Sequence, residues 1–146
     1  MARVTVSTII PVSPDVLWEE LRHIDRHVSW MNDAVEITFL SEHREGTGTT
    51  FVCRTKIGPL STNDVMTITE WQPGVAMGVT HQGIVTGSGV FTLEPSSGAT
   101  LMTWTEELRF PWWGLGPLGA WCATPIFRLI WKKNLHNLVD VVRPSS

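Results

Sequence analysis

Most of the chain between residues 34 and 110 alternates between apolar and polar side chains. The pattern begins at Val35, Ile37 and Phe39, which Glu36 and Thr38 separate. A period of two predicts half-buried strands. Short turns divide the segment, and parallel neighbours would need crossovers of about a dozen residues or more. The sequence therefore predicts a six-strand antiparallel meander, with strands near 35–39, 51–57, 61–71, 75–82, 84–94 and 99–110.

The two ends of the chain add one strand and the helices. Residues 4–10 alternate and predict a first strand, and Ser13 followed by Pro14 predicts one or two short helices over roughly 14–31. Near the C-terminus apolar residues recur at helical spacing and predict a long helix that packs on the sheet. Pro125 is expected to kink that helix or delay its regular start. The apolar stripe consists of Phe127, Trp131, Leu135, Leu138 and Val142.

Composition excludes several classes of protein. The 146 residues fit a single domain, and 42% apolar against 17% charged residues argue against disorder. The net charge of −3, with scattered basic residues, gives no footprint for nucleic acid. Residues 110–127 carry no charge, but prolines and glycines interrupt them, so no membrane insertion is expected. With only two cysteines and no signal peptide, we expect a cytoplasmic protein.

Two patterns that suggest metal or cofactor binding lack their usual context. His23 and His27 have the spacing of two ligands on a helix, but no third ligand is evident, and a solvated helical face is expected instead. The glycines at 114, 116 and 119 fit a dinucleotide-binding motif, but no second parallel strand follows. We therefore expect neither a metal nor a cofactor.

Several short motifs lie at turns and packing positions of the predicted elements. They are Pro14-x-Val16-x-Trp18, Trp30, Gly46-x-Gly48-Thr49, Glu70-Trp71-x-Pro73 and Gly98-x-Thr100. These motifs resemble those of the START-like, or SRPBCC, superfamily, which includes polyketide cyclase/dehydrase-like proteins and the Bet v 1 group. The resemblance implies an α+β helix-grip fold, in which a curved seven-stranded antiparallel sheet with two short N-terminal helices wraps around the C-terminal helix.

The resemblance also implies a cavity between the sheet and the last helix. Relatives of this kind hold a lipid, sterol, polyketide or aromatic compound there, and some are cyclases, aromatases or dehydratases. The superfamily shares no single catalytic signature, so no catalytic residue carries over. Eight tryptophans and no tyrosine suit an apolar interior with few hydrogen bonds.

The last strand places a carboxyl group on its more apolar face. Glu106 shares that face with Met102 and Trp104, so its side chain is predicted to point inward. Desolvation would favour the protonated form, which could donate a hydrogen bond or act as a general acid. Alternatively, Glu106 lies at the wet end of the sheet or pairs with an arginine.

Three other features have both a functional and a structural interpretation. His81 shares a face with Met77, and Asn134 lies within the apolar arc of the last helix. Each either orients a ligand or satisfies a backbone group in the core. Trp112 and Trp113 in the preceding loop form a lid, a plug or a membrane contact. The sequence does not show which face of residues 61–71 lines the cavity.

Binding of a hydrophobic small molecule is the function that these features favour. The alternatives are an enzyme that uses Glu106 or His81 as acid or base, of the cyclase, aromatase or dehydratase type, and an interaction protein with a filled core. The uncharged stretch from Trp71 to Leu93 suggests strand-edge pairing in a homodimer. The predicted ligand contacts are Phe51, Cys53, Met77, His81, Met102, Trp104, Glu106, Trp113, Trp131 and Asn134.

Overall fold

Seven strands form one antiparallel sheet in the computed structural model, which describes residues 2–83, 85–109 and 116–143. For Leu60 and residues 116–123 only the backbone is described. The spatial order of the strands is β1-β7-β6-β5-β4-β3-β2, so the predicted meander is confirmed and the first strand pairs with the last. The strands are β1 (Ala2–Ile10), β2 (Ala34–Phe39), β3 (Thr50–Ile57), β4 (Leu60–Gln72), β5 (Ala76–Gln82), β6 (Thr86–Ser96) and β7 (Ala99–Arg109).

Short helices connect β1 to β2. Helix α1 (Pro14–Leu21) begins after Ser13, whose Oγ accepts a hydrogen bond from the Val16 N–H at 3.4 Å. A 3₁₀ helix (Ile24–Ser29), which is wound more tightly than an α-helix, follows, and both apolar faces turn toward the sheet. The two short helices predicted over 14–31 are thus confirmed.

The C-terminal helix α2 spans Gly116–Val142, and its contact with the sheet edge is mainly through β1. Trp131, Leu135 and Leu138 are buried, as the apolar stripe predicts. Pro125 lies inside the helix, so the expected delay of the helix start to this residue is wrong. The loss of one backbone hydrogen bond at the proline does not end the helix, and the expected kink stays a prediction.

The register of β3 and β4 settles which face of β4 is internal. Residues directly opposite each other in antiparallel strands lie on the same face. Phe51 is opposite Met66 and Cys53 is opposite Asp64, so the even-numbered residues of β4 face inward as far as Ile68. A register shift then follows, and Trp71, opposite Met77, faces inward beyond it. Val65, on the other face, is 39% exposed.

The strand order contradicts the predicted route to a homodimer. The uncharged stretch forms β5 and β6, and both lie in the middle of the sheet with a partner on each side. Their backbone groups are already paired, so they offer no edge to a second subunit. The outer strands of the sheet are β1 and β2. A homodimer stays a prediction, but pairing through β5 and β6 is not the way to form it.

None of the helices in the described part of the chain combines the length and apolar character needed to cross a membrane. The predicted lid, plug or membrane contact at Trp112 and Trp113 lies outside the described residues.

Candidate functional site

A cavity of about 180 Å³ lies between the inner face of the sheet, the 3₁₀ helix and α2. Its lining is mostly apolar, with a few polar side chains contributed by the sheet and the loop before β2. Seven of the predicted contact residues line it, namely Phe51, Cys53, Met77, His81, Trp104, Glu106 and Trp131.

The other three predicted contacts have different positions. Met102 is fully buried in the core and does not line the cavity. Asn134 is also fully buried, and its amide binds the loop before β2. Trp113 lies outside the described residues. The alternation that put Met102 and Trp104 on one face was right, but the cavity extends along only part of that face.

Flat rings form one continuous surface of the cavity, which we call the aromatic wall (Phe127, Trp131, Trp104 and Phe91). Phe127 stacks on Trp131 with centroids 5.3 Å apart and an interplanar angle of 18°. Trp131 in turn stacks on Trp104 at 5.1 Å and 28°, which joins the helix to the sheet. Phe91 meets Trp104 edge-to-face at 5.1 Å and 87°. Such pairs hold the rings in fixed orientations.

Glu106 is the polar centre of the inner sheet face. It is 7% exposed, so neither a wet sheet end nor an arginine partner describes it. Instead the Nε2–H of His81 donates to its Oε2 at 3.0 Å, and the indole N–H of Trp104 donates to its Oε1 at 3.0 Å. Both oxygens of the Glu106 carboxyl group are therefore in hydrogen-bond contact with a neighbouring side chain.

His81 responds to opposing influences on its charge. Burial of the ring, the largest single influence, lowers its pKa. The hydrogen bond and the negative charge of Glu106, aided by the Val85 backbone and by Asp64, outweigh burial and raise the pKa above the ordinary 6.5. The imidazole is therefore held toward its charged form, and the two side chains form a buried ion pair.

A glycine in the neighbouring strand makes room for the Glu106 carboxylate. Gly89 is directly opposite Glu106 in the register of β6 and β7. A Cβ at this position would approach Glu106 Oε1 to 2.3 Å. Real Cβ atoms do not approach an oxygen this closely, so any larger residue at 89 would displace the carboxylate from its two donors.

Two further carboxylates line the cavity, and the sequence analysis missed both. Asp64 accepts hydrogen bonds from Thr55 at 3.1 Å and from Thr62 at 3.2 Å. Its inward direction follows from the β3 register, which alternation alone did not reveal because both faces of β4 carry apolar groups. Asp33 precedes β2 in a loop, where no period exists to mark a cavity residue.

Asp33 lies against α2 and links that helix to the loop. The Asn134 side-chain amide donates to Asp33 Oδ1 at 2.7 Å, while its carbonyl oxygen accepts from the Asn32 N–H at 2.9 Å. Trp131 also donates to the Asp33 carboxyl group. Burial raises the pKa of Asp33, and these hydrogen bonds oppose that rise. Asn134 thus hydrogen-bonds the Asn32 N–H and the Asp33 carboxyl group of the loop. This contact fits the structural one of the two interpretations given to Asn134.

The remaining titratable groups of the cavity are uncharged near neutral pH. Burial raises the pKa of the Cys53 thiol to about 11. Burial lowers the pKa of His27 to about 4, while its Nε2–H donates to the Leu21 carbonyl at 2.8 Å. The expected solvated face is wrong for His27, because the 3₁₀ helix turns this side chain onto Trp30 and Phe91. Within the described ranges no three His, Cys, Asp or Glu side chains lie close enough together to hold a metal.

Part of the cavity lining is half-buried at one end of the strands, near the β3–β4 hairpin and the β5–β6 turn. The residues there are Thr55, Thr62, Asp64 and Val85, while Met31, Asp33 and Phe127 are half-buried elsewhere in the lining. The lining residues toward the middle of the sheet, including Cys53 and Met77, are buried.

Comparison with known proteins agrees with this architecture. The family model described as polyketide cyclase / dehydrase and lipid transport matches residues 1–143. The chain belongs to this family. The resemblance to the SRPBCC superfamily found in the sequence motifs is thereby confirmed. A search of curated proteins found no match.

Solved structures share the fold of this family member at low sequence identity. TTHA0849 from Thermus thermophilus has a TM-score of 0.81 and 14% identity, with 96% of each chain covered. The Zhui aromatase/cyclase from Streptomyces sp. R1128 has a TM-score of 0.70 and 14% identity, covering 96% of this chain and 90% of that one. Ara h 8.0201 has a TM-score of 0.71 and 12% identity, with 96% of each covered. These likenesses establish the helix-grip fold.

Replacing Asn134 tests its structural role. Asn134→Leu keeps the side-chain volume but leaves the Asn32 N–H and the Asp33 carboxyl group without their partner. Because unsatisfied buried groups cost about 1–3 kcal/mol each, we expect the free energy of unfolding in urea to fall by about 2–3 kcal/mol. Lys133→Leu, at an exposed position of the same helix, is the control and should change it by less than about 0.5 kcal/mol. A loss for Asn134→Leu no larger than that of the control would contradict this role.

Proposed function

We propose that this protein binds a flat, mostly apolar small molecule in the cavity between the sheet and α2. The aromatic wall is the observation that carries the proposal. Its rings hold one another in place and line the cavity, so a planar ligand can pack against them without ordering the side chains first. We also propose that the protein acts in the cytoplasm, the location expected from the sequence.

The size of the cavity supports a ligand of one or two fused rings. An apolar cavity of about 150 Å³ in another protein is large enough to hold benzene. The cavity here has about 180 Å³ and continues toward the half-buried end of the strands. Burial of about 200 Å² of apolar ligand surface would contribute about 5 kcal/mol before the cost of association is subtracted.

Adjacent residues of β5 supply a matched test of the binding site. Val79 lines the cavity, whereas Thr80 is exposed on the outer face of the sheet. Val79→Phe should fill part of the cavity and weaken binding of 2-naphthol at least about tenfold, since a ring-sized group cannot share that volume. Thr80→Phe should leave the affinity unchanged. Isothermal titration calorimetry measures both.

The same titrations should include indole, palmitate and a sterol. We expect the one- and two-ring compounds to bind more tightly than the long-chain lipid. Equal weakening by the two phenylalanine variants, or no binding of any of these compounds to the unaltered protein, would overturn the proposed site.

The ion pair of His81 and Glu106 favours a second candidate function. A carboxylate and an imidazolium in one cavity can accept and donate a proton, which is the requirement of cyclisation or dehydration chemistry. A hydroxylated or β-keto ligand that reaches Glu106 could lose a proton to its carboxylate, while His81 returns one to the leaving oxygen. The aromatase/cyclase among the structural neighbours supports considering this class.

Glu106→Gln separates turnover from binding. The amide cannot accept a proton as the carboxylate does, so turnover of a poly-β-keto substrate should fall by about 10²–10⁴-fold. Glu107→Gln, on the outer face of β7, is the matched control and should retain full activity. Product analysis by mass spectrometry measures the rate. Turnover that survives Glu106→Gln would exclude Glu106 from the chemistry.

A further inference from the structure

The charges that line the cavity are almost all negative. Its titratable groups are His27 from the 3₁₀ helix, Asp33 from the following loop, Cys53 from β3, Asp64 from β4, His81 from β5 and Glu106 from β7. The lining residues of β6 and α2 are uncharged, and among the described residues no lysine or arginine lines the cavity.

Only one of these carboxylates has a cationic partner. His81 balances Glu106 at 3.0 Å. His27 and Cys53 are neutral at pH 7.5, because burial moves their pKa values to about 4 and about 11. Within the described chain Asp33 and Asp64 form no ion pair, and their hydrogen-bond donors are neutral amide, indole and hydroxyl groups.

We infer that the cavity selects aromatic ligands that carry a cationic amine and rejects carboxylates of the same shape. This inference rests on the proposed function and names the chemistry of its ligand. The amine would reach the half-buried Asp64, with the ligand ring against the aromatic wall.

Simple electrostatics gives the direction of the preference. In the part of the chain that the structure describes, Asp33 and Asp64 lack a cationic partner. An ammonium group placed near them recovers part of the free energy that was lost when these carboxylates were desolvated. A ligand carboxylate loses its own hydration and meets like charges, which disfavours its entry. Free fatty acids are therefore poor ligands.

Three probes of nearly equal shape test this selectivity. They are 2-naphthylmethylamine, 2-naphthalenemethanol and 2-naphthoate, titrated calorimetrically at pH 7.5 and low salt. We expect the amine to bind at least about tenfold tighter than the carboxylate, with the neutral alcohol between them. Added salt should reduce the amine preference because it screens charges that lie near solvent.

Variants of the two aspartates locate the source of the preference. Asp64→Asn should reduce the ratio of amine to carboxylate affinity at least about threefold. A far-ultraviolet circular dichroism spectrum that matches that of the unaltered protein shows that the variant is folded, and Asp33→Asn provides a second variant with the same expectation. Asp140→Asn, on the exposed side of α2, is the control that should leave all three affinities unchanged.

The possible failures are distinguishable. Equal affinities, or tighter binding of the carboxylate, would overturn the charge selectivity while the bound alcohol still supports an aromatic-binding cavity. A ratio unaffected by either aspartate variant would overturn the assignment to these carboxylates. If none of the three probes binds, the proposed function fails and the inference fails with it.

Discussion

A carboxyl group in the middle of an inward sheet face must find hydrogen-bond donors, because an isolated buried carboxylate costs several kcal/mol to desolvate. Glu106 meets this constraint with His81 from β5 and Trp104 from its own strand. Gly89 provides the space that the carboxylate occupies between them. Three neighbouring strands, β5, β6 and β7, thus contribute to one contact, which also holds Trp104 in the middle of the aromatic wall, between Trp131 and Phe91.

The rest of the interior likewise combines a mostly apolar surface with a few polar side chains that have hydrogen-bond partners. Trp131 connects Trp104 to α2 by stacking, and the amide of Asn134 holds the helix against the loop before β2. His27 stays neutral among aromatic rings, while Asp64 lies in a half-buried part of the cavity lining. A family member of this kind combines a rigid apolar surface with few, fixed polar groups, which is the usual composition of a small-molecule site.

The period of two in the sequence was sufficient to predict the meander and the inward direction of Glu106, and seven of the ten predicted contacts line the cavity. Asp64 was not predicted because β4 is apolar on both faces, and only its pairing with Cys53 reveals the internal one. Asp33 lies in a loop without a period, and the partners of Asn134 are more than 100 residues away in the chain. His27 was misplaced since a 3₁₀ helix presents different side chains to the core than an α-helix does.

NMR titration of the His81 imidazole tests directly whether Glu106 and His81 form a charged pair inside the cavity. We predict that the titration midpoint of His81 lies above pH 6.5 in the unaltered protein. It should fall below pH 6.5 in Glu106→Gln, because burial then acts on the imidazole without the opposing carboxylate. A raised folded-state pKa means that the pair stabilises the fold fully below about pH 6.5 and loses this contribution as pH rises through the His81 midpoint. His27 is an internal reference that stays neutral down to about pH 4. A His81 midpoint at or below 6.5 in the unaltered protein, or one that Glu106→Gln leaves unchanged, would contradict the account.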